Sequence, residues 1–197
     1  GYLLPRWIGQ FTGQYPEVYV SLTVADTEEI VQKTIKGQIE LGIVGAQTRD
    51  KALIQEAIVS DEMAVVVPAT HAWAKRKEIA ISELLEVPFI VREIGSGTLR
   101  SIQGVLQKSQ HDITDLHVVA EMGSTEAVRQ AIIAGVGISI LSRIAVRDDV
   151  AFGLVKTIPI KDLDLKRNFY LTTHRKRSLS PLGVEFVQFL KQNDAFA

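Results

Sequence analysis

Apolar and polar residues recur along this chain with two different periods, which predict helices and strands in turn. Short runs that are β-branched or wholly apolar indicate strands, whereas apolar residues three and four positions apart indicate helices. The predicted strands cover residues 18–25, 39–45, 53–60, 63–69, 88–93, 116–122, 135–141, 154–160 and 167–175. The predicted helices cover residues 3–11, 26–37, 82–86, 99–109, 123–135, 143–152 and 180–192. The pattern therefore predicts an α/β protein.

The order of these elements predicts two lobes. Strand, helix and strand follow one another between residues 18 and 45, which is the spacing of a βαβ unit. A second block of the same kind follows; strand 63–69 leads out to it and strand 167–175 leads back. Two lobes that are joined by two crossing strands leave a cleft, and ligands of open α/β sheets bind at the carboxyl ends of strands. We therefore expect a small-molecule site there.

Composition narrows the class of partner. The chain has 197 residues, 46% of them hydrophobic, and a net charge of −1. A protein that binds nucleic acid unaided usually has a basic excess, so we do not expect this chain alone to bind nucleic acid. The basic residues 175–177 are interpreted as a solvated surface. The absence of cysteine excludes disulfides and thiolate chemistry, and it fits a reducing compartment.

No membrane partner is expected, because no apolar run approaches the roughly 20 residues that a membrane helix needs. No signal peptide is visible either. The chain opens at GYLLPRW, which is typical of the start of a helix. We therefore expect the natural N-terminus to lie further upstream.

Three turns carry small hydroxyl residues where a strand ends and a helix begins: ADT, IGSGT and MGST. The first N–H groups of a helix have no internal partner and the helix dipole is positive there, so such a turn can bind a small anion. The alternative is that these residues only cap their helices. Asp26 would repel an anion near Thr27, unless Asp26 caps the helix and the Thr27 hydroxyl points outward. The candidate ligand-binding residues are Thr27, Ser96, Thr98 and Ser124, with the amides around Gly97, Gly123 and Thr125.

The motifs of common catalytic sites are missing. The four histidines do not have metal-ligand spacing, so no metal site is predicted. Ile94 stands where a nucleophile elbow needs its first glycine, GVGIS lacks the third glycine of a dinucleotide fingerprint, and no GK[ST] marks a P-loop. We therefore predict neither an enzyme nor a cofactor.

The whole chain resembles the effector-binding domain of LysR-type transcriptional regulators. The matching pieces are YLLPRWIGQFTGQYPEVYVSL, IVQKTIKGQIELGIVG, PFIVREIGSGTLRSI, MGSTEAVRQAIIAGVGISILSRIAV and HRKRSLSPLGVEFVQFL. The resemblance implies a type 2 periplasmic-binding-protein fold with two Rossmann-like lobes joined by two crossover strands. It places lobe I at residues 1–68 plus 169–197 and lobe II at residues 69–168. It also implies that Thr27, Ser96, Thr98 and Ser124 fall where the family commonly holds its effector.

The resemblance implies more about the full-length protein. A winged helix-turn-helix would precede this chain and supply DNA binding, and the first strand of lobe I would also lie upstream of Gly1. Family members pair side by side through the first helix, so we expect a homodimer or tetramer in which Trp7 or Tyr2 meets the partner. A cytoplasmic location follows from the same resemblance.

The resulting prediction is a sensor of a small anionic effector, either a carboxylate or an inorganic oxyanion, in a transcription factor. Two alternatives stay open. One is an extracytoplasmic solute-binding protein of the same fold, which a signal peptide in the full gene would favour. The other is an enzyme on the same bilobal fold, which would need a polar catalytic cluster in the cleft.

Overall fold

The computed structural model describes residues 3–192, which contain both helices and strands. Each helix and strand was expected from the sequence pattern, apart from two short 3₁₀ turns at Ala72–Lys75 and Ile113–Asp115. In chain order the elements are α1 (Leu3–Gln14), α2 (Thr27–Lys36), β1 (Gly42–Val44), β2 (Leu53–Pro68), α3 (Ile81–Leu84), β3 (Phe89–Arg92), α4 (Gly97–Lys108), β4 (Val118–Met122), α5 (Thr125–Ile133), β5 (Ser139–Ser142), α6 (Arg147–Ala151), β6 (Val155–Ile158), β7 (Lys166–His174) and α7 (Pro181–Gln192).

The chain divides into two compact units. The first contains the residues up to Ser60 and those from Asn168 onward, and the second is Asp61–Arg167. The first division falls within β2, earlier in the chain than the boundary after residue 68 that the sequence suggested. The second falls within β7, so these two strands are the ones that run from one unit into the other.

Aromatic residues form the helical part of the first unit. Phe11 of α1 lies edge-on to two rings of α7, with centroid distances of 5.0 Å to Phe186 and 5.4 Å to Phe189. Trp7 is only 1% exposed, so the expectation that it serves as a free interface anchor is wrong. Its position one helical turn before Phe11 places it on the same buried face. Tyr2, the other proposed anchor, lies outside the described residues.

The second helix of this unit begins and ends as its sequence predicts. The Asp26 carboxylate accepts a hydrogen bond from the Glu29 amide at 2.9 Å, which satisfies one free donor of the first turn. Gly37 ends the helix in the left-handed region at φ 72°, where its N–H reaches the carbonyls of Lys33 and Thr34. β1 then pairs antiparallel with β7, with Gly42 opposite Thr172 and Val44 opposite Tyr170.

Residues 18–25 do not form the predicted strand. They run without a hydrogen-bonded strand partner among residues 3–192, and Tyr19 and Val24 are 89% and 72% exposed. An alternating β-branched pattern favours extended backbone, but a strand exists only where a neighbour supplies the ladder hydrogen bonds. A cavity of about 420 Å³ adjoins this segment, lined by residues 18–25, by residues 38–43 and by apolar side chains of α1 and α7.

The predicted strands 53–60 and 63–69 are one continuous strand, β2. The polar pair Asp61 and Glu62 suggested an interruption. The strand continues because the Asp61 carboxylate, buried in the second unit, is paired with Arg167 at 2.8 Å. β2 pairs antiparallel with both β5 and β6 in this unit.

Both faces of β2 are covered in the second unit. Val65 and Val67 belong to a cluster with residues of α4 and β3, whereas Val66 belongs to a cluster with residues of α5 and β5. This accounts for the nearly unbroken apolar run of the strand, since a strand that is buried on both sides needs no polar alternation.

The two glycines of GVGISIL have different structural roles, and neither opens the strand as predicted. Gly135 lies in the left-handed region at φ 77° and follows the C-terminal end of α5. Gly137 lies where a Cβ would be 2.6 Å from the carbonyl oxygen of Pro88. The glycine at position 137 therefore permits close approach of two strand segments, and β5 itself begins only at Ser139.

Candidate functional site

The head of α4 carries a buried group of hydroxyls. Ser96 is the N-cap and its Oγ accepts from the Thr98 amide at 3.2 Å. Ser96 is 2% exposed and Thr98 is 8% exposed. A positive φ of 96° at Gly95 makes the tight turn before the helix. This turn is the one that the sequence marked as IGSGT.

The side chain of Thr98 and the backbone amide of Gly97 are both available to form hydrogen bonds. Within the described part of the chain, the Thr98 hydroxyl has no hydrogen-bond partner, and neither does the Gly97 amide. Among the described residues the only buried side-chain nitrogen or oxygen without a hydrogen-bond partner is Arg143 Nε, so the Thr98 hydroxyl oxygen is open to water or to a ligand. Capping alone therefore does not account for Thr98, because the Ser96 side chain is the cap.

The head of α5 is more open to solvent. Ser124 is its N-cap and its Oγ accepts from the Ala127 amide at 3.1 Å. Ser124 and Gly123 are exposed, and Thr125 is half-buried. A hydroxyl that accepts from a backbone N–H keeps its own proton for a further acceptor. Ser124 can therefore cap the helix and donate to a ligand at the same time.

The structure brings these two helix heads to one edge of the second unit. β3 and β4 are parallel neighbours, with Arg92 opposite Met122 at their carboxyl ends. The loop after β3 leads to α4, and the loop after β4 leads to α5. Six of the seven predicted residues lie on these two heads: Ser96, Gly97, Thr98, Gly123, Ser124 and Thr125.

Thr27 is the seventh candidate, and it belongs to the first unit. It is the first residue of α2 and is 7% exposed, and its hydroxyl has no hydrogen-bond partner among the described residues. The neighbouring Asp26 side chain is engaged as the N-cap, as the sequence suggested. Thr27 thus resembles Thr98 in that the residue is largely buried while its hydroxyl oxygen is not among the buried atoms that lack a partner.

A charged pair beside the helix heads was not predicted from the sequence. Arg92, the last residue of β3, is 8% exposed and donates from Nη1 to the Thr125 hydroxyl oxygen at 2.6 Å. Its Nε and Nη2 each donate to the Glu93 carboxylate at 2.6 Å. The available signal was an Arg–Glu pair directly after the apolar run PFIV and before the IGSGT turn.

Two of the histidines, His71 and His174, accept hydrogen bonds from nearby backbone amides. The His71 Nδ1 accepts from the Trp73 amide at 3.1 Å, and the His174 Nδ1 accepts from the Lys176 amide at 3.1 Å. Burial lowers the pKa of His71 from its ordinary value of 6.5. Over residues 3–192 no group of three or more histidines and carboxylates could hold a metal ion. None of the helices described in that range is both long enough and apolar enough to cross a bilayer.

Comparison with known proteins supplies the family. The family model of the LysR substrate binding domain matches residues 1–195. The RuBisCO operon transcriptional regulator of Acidithiobacillus ferrooxidans is 30% identical over 189 residues, which cover 96% of this chain and 60% of the relative. The regulator CysL of Bacillus subtilis is 31% identical over 84% of this chain and 54% of its own length. The chain thus spans little more than half the length of these curated relatives.

Solved structures agree with the sequence comparison. The regulatory domain of CcmR from Synechocystis PCC6803, in complex with 2-PG, has a TM-score of 0.89 and 29% identity, and it covers 100% of this chain and 94% of that one. The effector-binding domain of QuiR, in complex with shikimate, has a TM-score of 0.83 at 20% identity, with 95% and 88% covered. The predicted type 2 periplasmic-binding-protein-like fold is confirmed, and the chain belongs to the LysR family of effector-binding domains.

Proposed function

We propose that this chain senses a small anionic effector as the regulatory part of a transcription regulator. The observation that carries the proposal is the head of α4, where Thr98 is 8% exposed and its hydroxyl has no hydrogen-bond partner among residues 3–192. Beside it, the Gly97 amide is free and the Ser96 hydroxyl keeps its proton. Donors at the positive end of a helix favour an anion.

The ligand-binding residues in this proposal are the seven predicted ones. Ser96 and Thr98 donate from their hydroxyls, and Ser124 and Thr125 donate at the head of α5. Thr27, the seventh predicted residue, belongs to the first unit. The amides near Gly97 and Gly123 complete the set. Hydroxyls and amides bind an anion without a formal counter-charge, which suits an effector that has to be released when its concentration falls.

The proposed effector class is a small carboxylate or oxyanion, and 2-phosphoglycolate is the first compound to test. It combines both anionic groups in one molecule. The CcmR regulatory domain, at 29% identity, is the relative that holds 2-PG in its solved complex. Several relatives are named as regulators of RuBisCO genes, including that of Acidithiobacillus ferrooxidans.

The wider proposal concerns the whole protein. The relatives are named as HTH-type transcriptional regulators and are longer than this chain, which supports DNA binding by a separate N-terminal domain and a place in the cytoplasm. It also supports a sensing role in place of catalysis. We further propose that the protein forms a homodimer or tetramer. With Trp7 buried, the interface has to use other residues.

The experiment is a thermal-shift panel on the chain with sulfate, phosphate, mono- and dicarboxylates and 2-phosphoglycolate, with shikimate as the comparison compound. A ligand at one hundred times its Kd stabilises the folded state by about 2.7 kcal/mol, which the melting temperature reports. We expect at least one anion to raise the melting temperature, and to do so less at high salt. If every anion leaves it unchanged, the proposal of an anionic effector is wrong.

A further inference from the structure

The guanidinium of Arg92 bridges two loops that carry predicted ligand-binding residues. Arg92 ends β3, and its Nη1 reaches across to the Thr125 hydroxyl at the head of α5, at 2.6 Å. The Glu93 carboxylate meets Nε and Nη2 at 2.6 Å each. Three of the five N–H groups of Arg92 are therefore used. The other two have no acceptor among the described residues.

The contact restricts what the Thr125 hydroxyl can do. A threonine hydroxyl has one proton and two acceptor sites. Because Arg92 carries no acceptor, it can only donate, so one acceptor site of Thr125 is occupied by a charged donor. The single proton of Thr125 is left to point elsewhere. An anion at the head of α5 is the partner that accepts such a proton.

Charge adds to this geometric effect. The Arg92 side chain is 10% exposed and that of Glu93 is 22% exposed, so the field of the pair is only partly screened by solvent. The guanidinium attracts an anion bound at the helix heads, and the Glu93 carboxylate opposes that attraction. Glu93 also holds the guanidinium with two parallel hydrogen bonds, which keeps Nη1 directed at Thr125.

Resting on the proposed anion site, we infer that Arg92 is a positioning residue that makes Thr125 a hydrogen-bond donor to the effector, and that Glu93 lowers effector affinity by offsetting the Arg92 charge. The ligand class remains a small carboxylate or oxyanion. The Arg92–Glu93 ion pair beside these hydroxyls sets how tightly the anion binds.

The first test is Glu93→Gln with 2-phosphoglycolate as the probe and titration calorimetry as the readout. The amide oxygen still accepts one of the two hydrogen bonds from Arg92, but the negative charge is gone. We expect affinity to rise about fivefold at low salt, because a unit charge a few ångströms away contributes on that order. Glu83→Gln is the matched control. Glu83 also forms a two-bond pair with Arg76, and the substitution changes net charge equally. It should leave affinity unchanged.

The second test separates positioning from charge. Arg92→Met combined with Glu93→Gln removes both charges together, so that neither is left unpaired, and it should weaken binding about tenfold or more relative to Glu93→Gln alone. Thr125→Val should weaken binding by a similar factor, and Thr125→Ser should restore it. In a chain that already carries Arg92→Met and Glu93→Gln, Thr125→Val should lower affinity far less than it does in the unaltered chain. The reason is that the loss of Arg92 and the loss of the Thr125 hydroxyl disable the same hydrogen bond to the anion.

The outcomes distinguish this inference from the function on which it rests. If the unaltered chain binds no anion, the proposed function is wrong and the inference is wrong with it. If the unaltered chain binds 2-phosphoglycolate but Glu93→Gln weakens binding, or the Thr125 and Arg92 effects are fully additive, the inference alone is overturned. Circular dichroism and the melting temperature without ligand verify that each variant is folded.

Discussion

Asp61 and Arg167, the first and last residues of the second unit, form a buried ion pair in which Arg167 Nε donates to Asp61 Oδ2 at 2.8 Å. The Asp61 side chain is 0% exposed and that of Arg167 is 12% exposed. Ser142 of β5 donates from its hydroxyl to the other carboxylate oxygen of Asp61 at 2.8 Å. The pair therefore ties the two ends of this unit together and anchors them to β5.

Replacing one member of this pair should be strongly destabilising. Asp61→Asn keeps the shape but removes the negative charge, and breaking a buried ion pair in this way costs about 3–5 kcal/mol. The free energy of unfolding in urea is the measurement. Glu56→Gln is the control, since Glu56 pairs with Lys191 but both side chains are about half exposed. Its effect should stay within about 1 kcal/mol. Equal effects of the two substitutions would contradict the importance of burial.

Gly137 should not tolerate a side chain. In Gly137→Ala the new Cβ would lie 2.6 Å from the Pro88 carbonyl oxygen, so the backbone of one segment has to move. We expect a loss of about 1–3 kcal/mol of unfolding free energy, as for other overpacked sites. Gly104→Ala is the comparison, because its Cβ meets nothing within 4 Å and position 104 is inside α4. There alanine should stabilise by up to about 1 kcal/mol.

Thr98→Val should separate binding from stability. The Thr98 hydroxyl has no partner among the described residues, so its removal should leave the melting temperature of the free chain nearly unchanged. Affinity for the best anion should fall about ten- to a hundredfold, the value of a hydrogen bond to a charged group. Thr34→Val is the control, since Thr34 is also buried but donates to the Ile30 carbonyl at 2.9 Å. It should leave anion affinity alone. Unchanged affinity in Thr98→Val would exclude Thr98 from the site.

Ser124 should be tested with a residue that caps as well but repels an anion. Aspartate is as good an N-cap as serine, so Ser124→Asp should keep the stability of the free chain within about 0.5 kcal/mol. The added negative charge should abolish the thermal shift caused by 2-phosphoglycolate. Ser124→Thr, which keeps both the cap and the hydroxyl proton, should retain the shift. Retention of the shift in Ser124→Asp would place the anion elsewhere.

Protonation of His71 should contribute to the loss of folding stability when the pH is lowered. Burial lowers the pKa of His71 in the folded state below 6.5, so between that lower value and 6.5 the unfolded chain binds more protons than the folded chain. The contribution of His71 is present above pH 6.5 and is lost as the pH falls through and below it. Melting temperatures at pH 5 to 8 should therefore fall less on acidification in His71→Asn. Parallel curves for the two proteins would rule out this contribution.

Local signals in the sequence were sufficient for most elements and for the two helix heads. The Asp26 cap, the Gly37 end of α2 and the Ser96 and Ser124 caps depend on neighbours within a few residues, which the sequence displays directly. The hydroxyl-rich turns before α4 and α5 could be recognised for the same reason. The family resemblance was likewise carried by contiguous motifs.

The features that the sequence did not predict depend on residues that are distant in the chain. Residues 18–25 have the pattern of a strand but no ladder among residues 3–192, and β2 continues through Asp61 because Arg167, more than one hundred residues later, supplies the counter-charge. Trp7 proved to be core and not surface, since a helix face shows its burial only against its neighbours. The Arg92–Thr125 contact spans 33 positions. The sequence by itself determined which backbone groups and hydroxyls stand at the helix heads, whereas the tertiary structure alone decided which charges meet them, because side chains that are distant in the chain become neighbours only on folding.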